Sequence, residues 1–231
     1  MPTFQTATII KHDIPAGKFH DIIFEAEQPL TYQAGQFITV KINDTKLNSY
    51  SIAGQVGERQ YGLLVDSTPG GLGSQYFEKL KVGDKIEFLG PFGHLTLHLE
   101  DESSQLVFLA TGCGIAPVKR MVEVALRERN YTNPIRFYFG LRYKEDIFWD
   151  NYFRELASQY PNLDYKLVLS RPDESWQGKS GHITDILKED IKDASSLSAY
   201  MCGNTKMAEE ATQILTQLGC PKERVYAEMY G

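Results

Sequence analysis

The hydrophobic period of this chain changes once, near residue 100, and that change constrains the fold more than any other feature. Before it, short segments follow one another between glycine and proline: TATIIKHD, FHDIIFEA, GQFITVKI, SYSIAG, QYGLLVDS, DKIEFLG and HLTLHLE. Several alternate apolar and polar residues, as antiparallel strands do when one face meets a core and the other meets water. Within 73–80, GSQYFEKL has a helical pattern, with Ser74 as the expected N-cap. Regular short strands separated by turn signals predict a barrel or sandwich.

After residue 100 the apolar runs become continuous and helical patterns separate them. QLVFLA (105–110), IRFYFG (135–140), DYKLVLS (164–170) and LSAYMCG (197–203) are each followed by an amphipathic stretch. The first of these helices is expected to run through Arg129, and the last to end at a C-cap-like Gly219. ERVYAE supplies a closing strand. About five alternations of strand and helix predict a parallel five-stranded sheet with helices on both faces. The chain therefore reads as an α+β protein of two domains, 1–101 and 102–231, divided in the acidic, polar stretch Glu100–Ser104.

Composition narrows the function classes. With 231 residues, 42% of them apolar and 23% charged, the chain can bury a substantial core. Its net charge is −6 with no Lys/Arg block, which argues against nucleic-acid and anionic-membrane partners. No run of 18 apolar residues occurs, and MPTFQTATIIKHD lacks the pattern of a secretory leader. Cys113, Cys202 and Cys220 are odd in number and far apart, which suits a reducing, cytoplasmic compartment and offers no CxxC spacing for a cluster. His94 and His98 share a strand face but have no third ligand in sight, so no metal is expected. IFWDNYF (147–153) reads as a buried helix face.

In an open parallel sheet, ligands gather beyond the carboxyl ends of the strands, where strand order reverses. Thr111-Gly112-Cys113-Gly114-Ile115-Ala116-Pro117 follows the first strand of the second half. Its glycines permit a tight turn close to a phosphate, and Pro117 suits a first helical turn. As a GxGxxG fingerprint it fails at Pro117, so an ordinary strand-to-helix turn is the competing reading. Tyr200-Met201-Cys202-Gly203-Asn204 ends the fourth strand. If the sheet winds both ways from its first strand, Cys202 stands beside the Thr111–Gly114 turn; otherwise it is a small buried hydrophobe. In the first half, Tyr50-Ser51 sits in LNSYSIAG, as a strand end or as a site.

Tyr50-Ser51, the Gly71–Ser74 turn, Gly112-x-Gly114-x-x-Pro117, Cys202-Gly203 and Glu228-Met229-Tyr230 stand in the order found in the ferredoxin–NADP⁺ reductase superfamily, which the chain resembles over essentially its whole length. The resemblance implies a Greek-key flavin-binding β-barrel followed by an NAD(P)-binding α/β domain. It implies that Tyr50 stacks on the isoalloxazine, that the Ser51 hydroxyl approaches flavin N5, and that Ile52, Leu63, Leu64 and Val65 line the ring. Gly71, Gly73 and Ser74 are then the turn that holds a flavin phosphate. Thr111, Gly112, Gly114 and Pro117 face the nucleotide; Cys202 and Gly203 pack against the nicotinamide. Glu228 lies near the nicotinamide amide, and Tyr230 covers the flavin face.

Where the family carries an arginine that neutralises flavin phosphate, this chain has Asn48, and Lys46 on the same strand face is the expected substitute. Ser170 and Arg171, joined by Lys179, favour NADPH over NADH. The implied cofactor is FAD, with FMN as the alternative. The expected activity is hydride transfer between NAD(P)H and bound flavin, followed by electron delivery to ferredoxin, flavodoxin or an oxygenase component. A basic patch at Lys119, Arg120, Arg127 and Arg129 is the candidate docking surface. Two other readings remain: a reductase of free flavin, and an electron-transfer or nucleotide-binding subunit without turnover of its own.

Overall fold

The computed structural model describes residues 3–100 and 103–230, the last of these by its backbone alone. The expected domain boundary thus falls partly outside the described residues, at Asp101 and Glu102, as do the Tyr230 ring and Gly231.

Six strands of the first half close on themselves: β1 (Gln5–Ala16), β2 (Phe19–Ala26), β3 (Phe37–Asn43), β4 (Lys46–Gly57), β5 (Gln60–Asp66) and β6 (Lys85–Phe92). They follow the order β1-β2-β5-β4-β3-β6, and β6 returns antiparallel to β1, so no edge is left open. The alternation predicted from sequence points Ile9, Ile22, Phe24, Ile38, Val40, Ile52, Leu63 and Phe88 inward, each fully buried. Between β5 and β6, α1 (Leu72–Lys79) stops one end of the barrel with its buried Phe77.

Two local expectations of the first half change. HLTLHLE is not a strand: its alternation is real, but Leu95, Leu97 and Leu99 pack onto the second domain instead of pairing in the barrel. The segment is held there by Tyr200, whose hydroxyl accepts from the His98 N–H and donates to the His98 carbonyl, both at 2.9 Å. The His98 ring stacks on Tyr226 with centroids 4.8 Å apart. Ser74 is not the N-cap of α1; Gly71 is, and it makes no side-chain cap hydrogen bond, so Ser74 sits buried in the first turn.

The second half builds β7 (Gln105–Thr111), α2 (Ile115–Glu123), β8 (Ile135–Leu141), α3 (Asp150–Gln159), β9 (Leu163–Leu169), β10 (Lys179–Ser180), α4 (Ile183–Asp190), β11 (Leu197–Asn204), α5 (Thr205–Gln217) and β12 (Val225–Tyr230). The sheet is parallel throughout in the order β10-β9-β8-β7-β11-β12. It has six strands where five were expected, because two residues of the 170–182 connection pair with the end of β9. Both faces are covered, which is why the strands read as unbroken apolar runs. Leu106, Phe108 and Ala110 of β7 face the side of α2 and α3, whereas Val107 and Leu109 face α4 and α5. α2 continues through Val124–Glu128 as one wider π turn. Among the described residues no helix is long and apolar enough to cross a membrane.

The two halves meet along α2, which lies against β4. Phe19 of the barrel packs on Phe148 with centroids 4.5 Å apart, and Lys18 pairs with Asp146 at 2.8 Å. Arg120 Nε donates to the Tyr32 hydroxyl at 3.0 Å while its other arm pairs with Glu128 at 2.6 Å. These contacts correct the expected docking patch. The side chains of Lys119 and Arg120 are only 17% and 14% exposed and serve the seam between domains, leaving Arg127 and Arg129 alone at the surface.

One titratable chain runs from the barrel to the end of α1. His12 Nδ1 donates to the Leu80 carbonyl at 2.8 Å, so the neutral ring accepts at Nε2 from His20 Nδ1, also at 2.8 Å. Burial, and next the His12 neighbour, lower the His20 pKa from 6.5, against lesser opposing pulls from Glu78 and Asp66. A base with a lowered folded-state pKa contributes stability above its unfolded pKa and loses it as pH falls, because the unfolded chain takes the proton first. Urea midpoints are therefore expected to drop on going from about pH 7.5 to about pH 5.5. His20→Gln should flatten that part of the profile; an unchanged slope in the variant would assign the loss elsewhere.

Candidate functional site

A cleft of about 1240 Å³ runs between the two domains and is lined by both. On the barrel side, the strand period turns Lys46, Asn48 and Tyr50 of β4 to one face, and all three line the cleft. The Tyr50 ring meets Phe77 edge-on with centroids 4.6 Å apart, and burial raises its phenol pKa. Asn48 Nδ2 donates to the Tyr50 hydroxyl at 3.3 Å. Gly73 makes this arrangement possible, since a Cβ there would collide with the Asn48 amide and the Tyr50 hydroxyl. The first turn of α1 thus comes directly against both side chains.

That first turn is a free helix N-terminus. Gly71 contributes no side chain to its N–H groups, and no acidic residue lies in the turn. Its open N–H groups and the positive end of the dipole favour an anion. Ser51, 6% exposed, lines the cleft beside Leu64 and Val65 of β5. Ile52 and Leu63 do not reach it; both are fully buried in the barrel core and pair with each other across the strands.

On the sheet side, the reversal of strand order falls between β7 and β11 and brings the two suspected turns together. Gly112 adopts φ 54° with open space where a side chain would stand, and it lines the cleft with Thr111 and Gly114. A Cβ on Gly114 would strike the Cys202 carbonyl, and one on Gly203 (φ 139°) would strike the Thr111 hydroxyl. Thr111 Oγ1 accepts from the Asn204 N–H at 2.9 Å, and the Asn204 side chain caps α5 by accepting from Lys206 and Met207. Pro117 is buried in the first turn of α2, behind the cleft wall. Cys202 is also fully buried, in register with Ala110 and Glu228, whereas Cys113 lines the cleft, its thiol pKa pushed up by desolvation. Glu228 is half-buried on β12, and the Tyr230 backbone pairs beside Asn204.

Ser170 and Arg171 line the far end of the cleft; Arg171 donates to the Tyr143 hydroxyl at 3.4 Å. Lys179 does not line it, and its carbonyl accepts from Trp176 Nε1 at 3.0 Å. Sequence reasoning missed Arg142, just past β8, and Lys206, in the first turn of α5; both line the cleft. Their signal was their place at a strand end and a helix start. Among the described residues Lys46, Arg142, Arg171 and Lys206 have no ion-pair partner, while Lys18 is paired with Asp146. A chain of net charge −6 thus lines its cleft with four cations that no carboxylate pairs, beside Asp66 and Glu210, and with the uncapped first turn of α1, a set suited to the phosphates of dinucleotides.

A closed barrel and a doubly wound parallel sheet that share one such cleft define a protein built for two ligands with phosphate tails. Comparison with known proteins agrees. The model of the oxidoreductase FAD-binding domain matches residues 3–97, and that of the oxidoreductase NAD-binding domain matches residues 108–213. The ferredoxin–NAD(P)⁺ reductase component of naphthalene 1,2-dioxygenase/salicylate 5-hydroxylase systems of Ralstonia sp. is 30% identical over 88% of this chain and 62% of its own length. The corresponding naphthalene 1,2-dioxygenase component of Pseudomonas putida is 27% identical over 96% of this chain and 68% of its own. Among solved structures, an Amycolatopsis cytochrome P450 reductase superposes with a TM-score of 0.91 at 25% identity, over 98% of this chain and 69% of its own. The chain thus spans about two thirds of the length of these proteins. It belongs to the ferredoxin–NADP⁺ reductase superfamily.

The residues present fit the two groups this family holds. The Tyr50 wall, the Gly73 cradle and the uncapped α1 turn suit a flat ring with a phosphate tail. The Thr111–Gly114 and Gly203 turns leave backbone open to a second. Because Gly203 combines a left-handed φ with no room for a Cβ, Gly203→Ala is expected to cost about 2 kcal/mol or more in stability. Chemical denaturation measures it, and a change within about 0.5 kcal/mol would contradict the close approach of the two turns.

Proposed function

We propose that this chain is a flavin-dependent NAD(P)H oxidoreductase that moves hydride between the nucleotide and a bound FAD and passes electrons to a protein acceptor. The observation that carries this reading is the single cleft, walled on one side by Tyr50-Ser51 and on the other by Thr111–Gly114 and Gly203. A bound flavin supplies the two-electron chemistry, with release of electrons singly or in pairs.

The chain's own residues bind and orient. Tyr50 offers an aromatic face worth ~0.5–1.5 kcal/mol beyond buried area. The Ser51 hydroxyl is the group to steady charge at the flavin edge, and the β5 backbone at Leu64 and Val65 lines the ring. Lys46 and the α1 turn hold the flavin phosphates, with Asn48 contributing a hydrogen-bonding amide but no charge. Thr111, Gly112, Gly114 and Gly203 take the nucleotide against the α2 N-terminus, with Pro117 shaping the turn from behind. Cys202 would back the nicotinamide site and Glu228 would serve its amide; the role at the flavin face falls by resemblance to Tyr230, whose ring lies outside the described residues. Two rings held near 3–3.5 Å approach need positioning more than acid–base chemistry, so no general base is required.

Ser170 and Arg171, now joined by Arg142, favour NADPH; Lys179 is the weaker member because its side chain lies off the cleft. A ferredoxin, flavodoxin or oxygenase component is the acceptor, in line with the relatives named as reductase components of dioxygenase systems. The functional units are 1–101 for flavin and 102–231 for nucleotide, and the widely spaced cysteines suit the cytoplasm. Asn48 in place of a cation favours one second reading, a reductase of free flavin.

The absorbance spectrum of the purified protein, followed by anaerobic addition of each nucleotide, tests the proposal. Flavin bands that bleach with NADPH at lower concentration than with NADH are expected, followed by reduction of added ferredoxin. A colourless protein active only with added flavin would favour the second reading. A protein inactive with both flavins and both nucleotides would end the enzyme assignment. Lys46→Ala is expected to weaken FAD binding about tenfold in a fluorescence titration; unchanged affinity would remove Lys46 from the site.

A further inference from the structure

The strand that carries Tyr50-Ser51 is tied to α2 by a cation, Lys119, that does not line the cleft. Lys119 Nζ donates to the Ala53 carbonyl at 3.4 Å and pairs with Glu123, one turn on, at 2.6 Å. Glu123 is 8% exposed, and the Tyr152 hydroxyl donates to its carboxylate. The rings of Trp149 and Tyr152 lie 5.5 and 5.1 Å from the ammonium. Ala53 falls at a register shift between Ile52 and Gly54, and Gly54 leaves room for the ammonium, which would stand 3.3 Å from a Cβ there. Trp149 holds φ 55°, a left-handed conformation that non-glycine residues adopt at a cost and that marks a position where geometry matters.

A desolvated ion pair is a poor device for stability, since apolar residues of the same volume do as well or better; its best-attested use is to set registry. Other polar bridges between the halves reach elsewhere: Lys18–Asp146 starts from the β1–β2 turn, Arg120–Tyr32 from the loop before β3, and Tyr200–His98 from the segment after β6. Lys119 reaches β4 two residues beyond Ser51. We infer that Lys119, caged by Glu123, Tyr152 and Trp149, is a positioning residue that sets the flavin wall against the nucleotide turn at the head of α2. Its effect falls on the approach of the two rings and not on the affinity of either site. The inference rests on the function proposed above.

The test uses the whole flavin-loaded chain, Lys119→Met, and a second variant, Lys119→Met with Glu123→Gln, which leaves no buried lone carboxylate and guards against a failure to fold. Stopped-flow bleaching by NADPH should show a limiting rate at least about tenfold lower. Flavin content and the nucleotide concentration for half-maximal rate should stay unchanged, and Lys119→Arg should recover part of the rate. In flavin-free protein, amide hydrogen exchange at 53–55 should rise while the thermal midpoint of the double variant matches wild type. A wild-type limiting rate in both variants, or a loss confined to nucleotide or flavin affinity, overturns the inference. If wild-type flavin is bleached by neither nucleotide, the proposed function falls, and the exchange at 53–55 alone decides whether Lys119 ties the strand: raised exchange upholds the tie, unchanged exchange refutes it.

Discussion

The seam where α2 lies along β4 is the contact on which the rest of the molecule depends. Domains joined in one chain commonly move against each other unless their interface is large and apolar. Here Phe19 against Phe148 supplies apolar burial, and Lys18–Asp146, Arg120–Tyr32 and Lys119–Ala53 fix the register at three separate points. The outcome is one cleft between two walls, each belonging to a different fold. Hydride chemistry between two flat rings tolerates little misplacement, so a rigid seam is what such a pair of domains requires.

Charge in this protein is arranged locally and against its overall sign. The chain is acidic, yet Lys46, Arg142, Arg171 and Lys206 stand unpaired around the cleft. The uncapped first turn of α1 adds to them without a side chain. Other cations are compensated at short range: Lys119 by Glu123 and Arg120 by Glu128 at the seam, and Lys18 by Asp146 at the cleft edge. This contrast explains why net charge, a sum over the whole chain, gave no sight of a dinucleotide cleft. Lys119 and Arg120 look like a basic surface in a linear sequence, but a helix turns them inward to the partner domain.

Legibility followed the kind of interaction involved. The barrel strands and the sheet strands were visible because burial on one face or on both leaves a period in the residues themselves. HLTLHLE shows the limit of that signal. Leu95, Leu97 and Leu99 alternate as in a strand, yet the surface that buries them lies on the second domain, so they pair with no strand. Ser74 has the right chemistry for a cap, but the helix begins two residues earlier, at Leu72, because Gly71 takes the extended cap conformation. Arg142 and Lys206 escaped notice because an exposed arginine or lysine is ordinary; only their placement at a strand end and a helix start gives them meaning.

The sequence by itself determined the change of period near residue 100, the inward-facing residues of both halves, and the order of short motifs that identifies the superfamily. These are local properties: a glycine that must turn, an alternation that must face a core, a run that must be covered twice. Tertiary structure alone decided that Gly114 and Gly203 close on the backbone of the opposing turn, that Cys202 is buried while Cys113 faces the cleft, and that Lys119 crosses to Ala53. Each joins residues from separate elements, Lys119 and Ala53 being 66 positions apart. No period or spacing in a linear chain records which face of one domain will meet which strand of another.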